Sequence, residues 1–429
     1  MQHRIVVLGA GYAGAVAAGR LARRLRREDV ALTLVNAEPD FVERVRMHQL
    51  ATGQELRPRP FAEMFAGTGV ELRLARVTAV DVDRKTVTTT AVNGTGDDAV
   101  RGLEAVPDLE AVRGLEAVRE LEAVRELEYD TLVYALGSDW HDQGVPGAAE
   151  HADHIASRPG ALRLRGRLAS LAAGAPVVVV GGGLTGLEAV TEIAEARPDL
   201  DVALAARGAL GDWLSPKGRR HLRKVLDGLG VTVHEHTAVT AVAPGHVTTA
   251  AGAAVPAAVT VWTTGFAVHP VARATALEVT DAGRIVVDRT MRSVSHPDVY
   301  AIGDAASATG AGGKPLRMSC ASGIPMAWQA ADAVAARLTG GKLPSTPLRY
   351  VNQCVSLGRR EGLIQYVTAD DRAVRAALTG RTAARYKELI CQGAAWAVAH
   401  PMLGLPARRR RVVAAPARAD TPLPTTTPA

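Results

Sequence analysis

The chain has 429 residues, 47% of them hydrophobic, with a mean hydropathy near zero. That supplies two or three cores and argues against one compact domain. The net charge of +6 is a small excess of 50 basic over 44 acidic residues, gathered in RRLRR (23–27) and RRRR (408–411), and aromatics are only 4%, so the stacking platforms of nucleic-acid binders are missing. Three cysteines, an odd number without CxxC spacing, argue against a disulfide framework and a structural zinc site, no metal is expected, and a reducing cytoplasm fits best.

From the N-terminus, HRIVVLG begins at residue 3 as a strand, so no signal segment is expected. GAGYAG turns it into the helix Ala15–Leu25, and ALTLVN (31–36) is the next parallel strand, completing a βαβ unit. VTAVDVDRKTVTTTAV (77–92) alternates as an antiparallel ribbon. Five hexads fill 101–130, with the insertion placed at 101–128. Their Leu and Val recur every three residues and drift around a helix instead of holding one face, so they are taken as a duplicated surface loop, an interaction arm being the alternative. TLVYALGS (131–138) is a buried strand. PVVVV, a helix to about Arg197 and DVALAA (201–206) form a second βαβ, followed by VTVWTTG (259–265) and VYAIG before Asp304. After GGKLPS (340–345) comes a smaller unit with strands QCVSLGR and GLIQYV and a helix over about 371–399. From Pro406 the composition predicts a disordered tail. No uncharged apolar run reaches the roughly 20 residues that span a bilayer.

Two glycine fingerprints, Gly9/Gly11/Gly14 and Gly181/Gly183/Gly186, each follow a Val-rich strand and open an Ala-rich helix. In that context GxGxxG brings a pyrophosphate against helix N-terminal amides. Two nicotinamides have no chemistry to do together, whereas a flavin takes a hydride and passes electrons on, so one of the two sites is expected to hold FAD.

The ordered series GAGYAG, FVERVRMHQLATG (41–53), YDTLVYALGS (129–138), GGGLTGLEAVTEI, VTVWTTG and VDRTMRSVSHPDVYAIGDAA resembles the two-dinucleotide-domain flavoproteins related to glutathione reductase, and among them the type II NADH dehydrogenases, over roughly residues 3–340. The resemblance implies an α/β fold of two Rossmann-like, three-layer ββα domains, the second inserted in the first, plus a small α+β C-terminal domain. The expected boundaries are 1–150 with 269–340 for FAD, 151–268 for NAD(P)H, 341–405 for the third unit and 406–429 for the tail. It further implies FAD contacts at Gly9, Gly11, Tyr12, Ala13, Gly14, Asn36, Arg44, His48, Ala135, Gly137, Gly303 and Asp304, and NAD(P)H contacts at Gly181, Gly183, Leu184, Thr185, Gly186, Glu188, Arg207, Thr264 and Gly265. Glu188 matches a family glutamate near the nicotinamide and flavin and is the one catalytic candidate, with a dipole-stabilised surface carboxylate as the alternative. Asn36, with Glu38 as second candidate, would bond the FAD ribose. A helix near Pro325 would point its amides at the flavin, and His48 in the HQ segment is either a proton relay or a core histidine.

The departures are equally specific. No cysteine precedes Cys320, so a dithiol relay is excluded, and the cysteines needed by sulfide:quinone oxidoreductases would have to come from Cys320 and Cys354. The segment IPMAWQAADAV places Trp328 and Asp332 where the family's quinone pocket has glutamines. At the adenosine end of the second unit Ala206 replaces the ribose-binding acid and Arg207 follows, which tilts the cofactor from NADH towards NADPH. The expectation is an FAD-dependent NAD(P)H oxidoreductase with a quinone or similar small acceptor. Sulfide oxidation and a redox-sensing role are the alternatives. The YKELICQGAAWAVAH segment and the Arg cluster suggest peripheral contact with the inner face of the plasma membrane, a helix packed on its own domain being the other reading.

Overall fold

The structure is a computed structural model that describes residues 1–92, 124–404 and 408–413. The hexads before 124 and most of the expected tail lie outside these residues.

The first sheet gathers β1 (His3–Leu8), β2 (Val30–Asn36), β3 (Val70–Asp81), β4 (Thr86–Ala91), β5 (Arg125–Glu128), β6 (Thr131–Tyr134) and, much later in the chain, β17 (Val299–Ala301). Its order is β17-β6-β1-β2-β3-β4-β5. Strand β3 serves two partners: residues 70–74 pair parallel with β2, and 75–81 pair antiparallel with β4. Against this sheet lies α1 (Tyr12–Arg24), whose Ala15, Val16, Ala17, Ala18 and Leu21 are fully buried, small residues that let helix and strands approach closely.

A ribbon of β7 (Ser138–Trp140) with β16 (Phe266–Val268) links this body to the next. The second sheet takes β8 (Ala152–Asp153), β9 (Pro176–Val180), β10 (Asp201–Ala205), β11 (Thr232–His234) and β15 (Val259–Trp262), all parallel, in the order β11-β10-β9-β15-β8. Around it lie α3 (Arg158–Ser170), α4 (Leu184–Ala196) and α5 (Pro216–Gly228), and a three-stranded meander, β12 (Val239–Ala243), β13 (Gly245–Thr249) and β14 (Ala254–Ala257), is appended. The short α2 (Met47–Ala51) packs Met47, Leu50 and Ala51 into this second core although it follows β2 of the first.

After α6 (Cys320–Thr339), the third unit is an antiparallel sheet of β18 (Asn352–Ser356), β19 (Gly362–Val367) and β20 (Ala373–Thr379), closed by α7 (Arg381–Ala399). Residues 373–379, expected as helix, are therefore strand. The reason is tertiary: the fully buried Gln365 amide donates to the carbonyls of Val374 and Ala376 at 2.8 and 3.1 Å, and its oxygen accepts the Ser215 N–H at 2.9 Å. The helix expected near Pro325 begins at Cys320, and Pro325 lies inside it. Within the expected tail, residues 408–413 are held: Arg410 bonds the backbone of Arg24 and Arg26, and the Val412 N–H donates to Asp29.

Candidate functional site

The helix starts divide into two kinds. Helices α3 and α5 begin Ser-x-Pro or Ser-Pro, and Ser157 and Ser215 accept from the Gly160 and Gly218 N–H groups, sealing their ends. Helices α1 and α4 start from Gly11 and Gly183, and no side chain caps them, which leaves their first amides for a ligand.

The two turns are built alike. Gly9 and Gly181 have positive φ (89° and 126°), which other residues rarely adopt. A Cβ on Gly14 or Gly186 would come 1.8 Å from the carbonyl oxygen of Gly9 or Gly181, so only hydrogen fits where helix meets strand. A Cβ on Gly11 or Gly183 would meet nothing within 4 Å: each middle glycine borders the open cradle that a pyrophosphate needs. These features fit a dinucleotide at each turn.

Around the first turn the structure converges several expected residues. Asp304, in the turn after β17, accepts from Ser138 Oγ at 2.7 Å, and the Ser138 carbonyl accepts from Arg44 at 2.8 Å. Gly303 and Gly323, at the start of α6, pack on Ala13, so the N-termini of α1 and α6 meet beside Asp304. Ala135 follows β6, and its carbonyl lies 2.5 Å from where a Gly9 Cβ would sit; Gly137 follows with φ 71°. Tyr12 is buried, edge-on to Phe41 at 4.8 Å, and its hydroxyl finds no partner among the described residues. Asn36 acts locally, where its Oδ1 accepts from the Ala10 N–H at 2.9 Å and its amide donates to the Glu38 carbonyl at 2.8 Å, bracing the turn, while Glu38 is exposed.

Around the second turn, Leu184 and Thr185 open α4, and Thr263 and Thr264 pack on Gly181. Gly265 has φ 76°, and Gln143 covers the place where its Cβ would be. Ala206 is buried against Gly182, and Arg207 is exposed with no ion pair among the described residues.

Glu188 is not a surface carboxylate. Together with His48 it faces the third unit: Ser356 donates to it from N–H and Oγ, both at 3.2 Å, Lys387 forms an ion pair with it, and His48 Nδ1 lies 3.8 Å away. Lys387 also donates to Ser356 Oγ at 3.1 Å. Burial pushes the Lys387 ammonium down to about 8. Burial, reinforced by the charges of Lys387 and Arg46, holds His48 well below the ordinary histidine value, so its ring is neutral. Arg46 pairs with Glu43 at 3.0 Å and with Glu388 of α7 at 2.7 Å.

Ser356 and Lys387 were not singled out from sequence. Lys387 left a signal nonetheless: it stands in the row Ala383, Lys387, Cys391, Ala395, one charge on a buried helix face. Trp328 and Asp332 belong to different surroundings. Asp332 pairs with Arg20 and Arg24 at 2.7 and 2.6 Å, and Trp328 packs on the first core with its indole N–H unpartnered among the described residues. All three cysteines are free thiols, and burial raises Cys320 to about 11 and Cys354 to about 12.

The chain matches the pyridine nucleotide-disulphide oxidoreductase family over residues 3–335 and belongs to it. An NADH dehydrogenase-like protein of Mycobacterium tuberculosis is 31% identical over 348 residues, 75% of this chain and 78% of that one. The demethylphylloquinone reductase of Synechocystis is 26% identical, covering 83% and 84%. Among solved structures, NDH2 of Plasmodium falciparum with NADH has a TM-score of 0.72 at 13% identity, covering 94% and 97%. The sulfide:quinone oxidoreductase of Aquifex aeolicus has a TM-score of 0.71 at 18% identity, covering 93% and 92%. The expected fold, two dinucleotide-binding bodies with a third unit, is that of these structures. The protein is an oxidoreductase whose cofactors are FAD and a pyridine nucleotide.

Proposed function

We propose that the chain oxidises NADH, accepting NADPH as well, and passes the electrons through FAD to a quinone. The observation that carries the reading is the pair of matched glycine elbows with uncapped helices, one beside Asp304 and one beside Thr263 and Thr264. The names of the relatives supply the acceptor class. FAD at the first turn would accept a hydride and return two electrons to the acceptor. The chain's own share is alignment and protons. Gly9–Gly14, Asp304 and the start of α6 would hold FAD, Gly181–Gly186 with Thr264 and Gly265 would hold the nicotinamide nucleotide, and Arg44 would brace the loop carrying Ser138. Glu188, Lys387, Ser356 and His48 form an enclosed polar group directly after the second turn, joined by the Lys387–Glu188 ion pair and the Ser356 hydrogen bonds, and this group would handle the reaction's protons.

At the adenosine end, the absence of a carboxylate at Ala206 and the exposed Arg207 suit a 2′-phosphate. The sulfide-oxidation alternative is disfavoured because burial keeps Cys320 and Cys354 protonated, and a thiol is a poor nucleophile. Peripheral membrane contact is part of the proposal: Leu389, Ile390 and Trp396 expose an apolar stripe on α7, and arginines 408–411 lie further along the chain.

Anaerobic titration of the yellow protein tests the reading. Both NADH and NADPH should bleach the flavin, a quinone should restore it, and Arg207→Ala should lower kcat/KM for NADPH alone. A flavin that neither nucleotide bleaches refutes it.

A further inference from the structure

Between Asp304 and α6 the chain runs through a glycine-rich loop, residues 306–319, that is fastened from outside. Gly312 and Gly313 have φ of 71° and 72°, so the loop has little stiffness of its own. Arg284 holds it from one side, its guanidinium donating to the Leu316 carbonyl at 3.0 Å. The third unit holds it from the other. The Ala311 N–H donates to the Leu348 carbonyl at 3.2 Å, and Lys314 pairs with Asp370 at 3.3 Å. Arg317 is gripped in three ways: its N–H donates to the Tyr350 hydroxyl at 2.7 Å, its guanidinium lies 4.7 Å from the centre of that buried ring, and it forms an ion pair with Asp371, donating to Oδ1 at 3.1 Å. Gln353 of β18 donates to the same oxygen at 2.9 Å.

The Asp371 carboxylate is not needed to close its own turn. Between β19 and β20 the Asp371 N–H donates to the Thr368 carbonyl at 2.9 Å and the Thr368 N–H to the Arg372 carbonyl at 2.8 Å, so the hairpin closes through its backbone. The φ of 69° at Asp371 is one that glycine adopts more readily, and an aspartate there places a carboxylate, 16% exposed, on Arg317. Three residues further on, α6 begins. Ser319 stands at its cap position, yet no side chain caps the helix, as in α1 and α4. Ser322 turns back instead and donates its hydroxyl to the Arg317 carbonyl at 2.6 Å, and Gly323 in the same turn lies against Ala13 and Gly303 of the first cradle. The start of α6 therefore hangs on Arg317, and Arg317 on Asp371.

We propose that Asp371, in the third unit, is a positioning residue for the flavin: through Arg317 it sets where the open start of α6 meets the first cradle, and thereby the balance between oxidised and reduced cofactor. A flavin gains negative charge on reduction, and free amides at a helix start favour that charge only when they are held in place. The proposal rests on FAD occupying the first cradle. Loosening the clamp should therefore weaken the hold on the reduced form more than on the oxidised form.

The test compares Asp371→Asn, Arg317→Gln and the double variant in the full-length holoenzyme. Asparagine suits the left-handed turn at 371, so the backbone there is kept. The flavin midpoint potential is measured by anaerobic equilibration with reference dyes. Each single variant should lower the affinity for reduced relative to oxidised flavin about tenfold, a shift of about 30 mV to more negative potential for a two-electron couple. The double variant should shift no further, because both changes open the same link. Charge acting only through space predicts a different pattern: losing the carboxylate raises the potential, losing the guanidinium lowers it, and the double variant returns to the parent. Hydrogen exchange on the apoprotein gives a readout that needs no cofactor, and peptides covering 314–323 should exchange faster in all three variants. Opposite shifts in the single variants overturn the proposal, and so do unchanged potentials or unchanged exchange. A parent protein that binds FAD normally after Gly11→Ala would instead overturn the placement of FAD in the first cradle, and the proposal with it, before any clamp variant is compared.

Discussion

Gly11 and Gly14 are glycine for opposite reasons, and they can be separated. A methyl at position 14 would strike the Gly9 carbonyl, so Gly14→Ala should destabilise even the apoprotein, by about 3 kcal/mol from overpacking. A methyl at position 11 has room in the bare chain and, on the proposed cofactor placement, would collide only with a bound pyrophosphate. Gly11→Ala should keep the apoprotein's melting temperature and lose flavin absorbance on purification; equal melting losses in the two variants would refute the distinction. His48 makes a prediction about pH. Its folded value lies below the unfolded 6.5, so as pH falls through 6.5 the unfolded chain takes up a proton that the native ring refuses. Stability should then decline by at most about 1.4 kcal/mol per pH unit, and chemical denaturation at a series of pH values should show a flatter acid limb for His48→Asn. Both glycine triads were legible from the sequence because backbone contact leaves a strict residue signature. The partners of Glu188 were not, because Ser356 and Lys387 lie more than 160 residues away along the chain.

At the scale of elements, helices capped by Ser157 and Ser215 stabilise themselves, whereas those begun by Gly11 and Gly183 leave amides for a ligand. The Asp332 carboxylate joins α6 to α1 through Arg20 and Arg24, with Arg20 only 14% exposed. Asp332→Ala should therefore cost about 2 kcal/mol in urea unfolding by leaving two guanidinium groups without their acceptor, although Asp332 lies outside both cradles. A loss no larger than that of an exposed-site control would show the pair to be incidental. Strand β20 illustrates why local pattern failed: AVRAALT has no clear alternation, and the Gln365 amide that binds its carbonyls lies on another strand. The early start of α6 is similar, since Pro325 removes only one bond from a helix otherwise held by burial on α1.

Across the molecule, the third unit works as a bridge. Val355, Leu357, Leu363 and Ala377 enter the core of the second sheet, while Ala395 and Val398 of α7 enter the core of the first. Arg46 and Glu388 add a charged tie from α7 to the segment before α2. The same helix leaves Leu389 and Trp396 exposed, at 66% and 44%. Because the other side of α7 is core, the membrane proposal is best tested by substitution. Leu389→Glu with Trp396→Glu should abolish flotation with anionic vesicles without changing NADH oxidation by ferricyanide; equal recovery of variant and parent would remove the membrane contact. Among the described residues no helix is long and apolar enough to cross a bilayer.

The amino-acid sequence by itself determined the two strand–turn–helix units, the cofactors they imply and the family, because a backbone pressed against a pyrophosphate tolerates few residues and repeats them at short spacing. Tertiary structure alone decided that Glu188 is enclosed, that Lys387 and Ser356 meet it, and that residues 373–379 are strand. Those outcomes depend on burial and on hydrogen-bond partners brought from distant segments, which no local window contains.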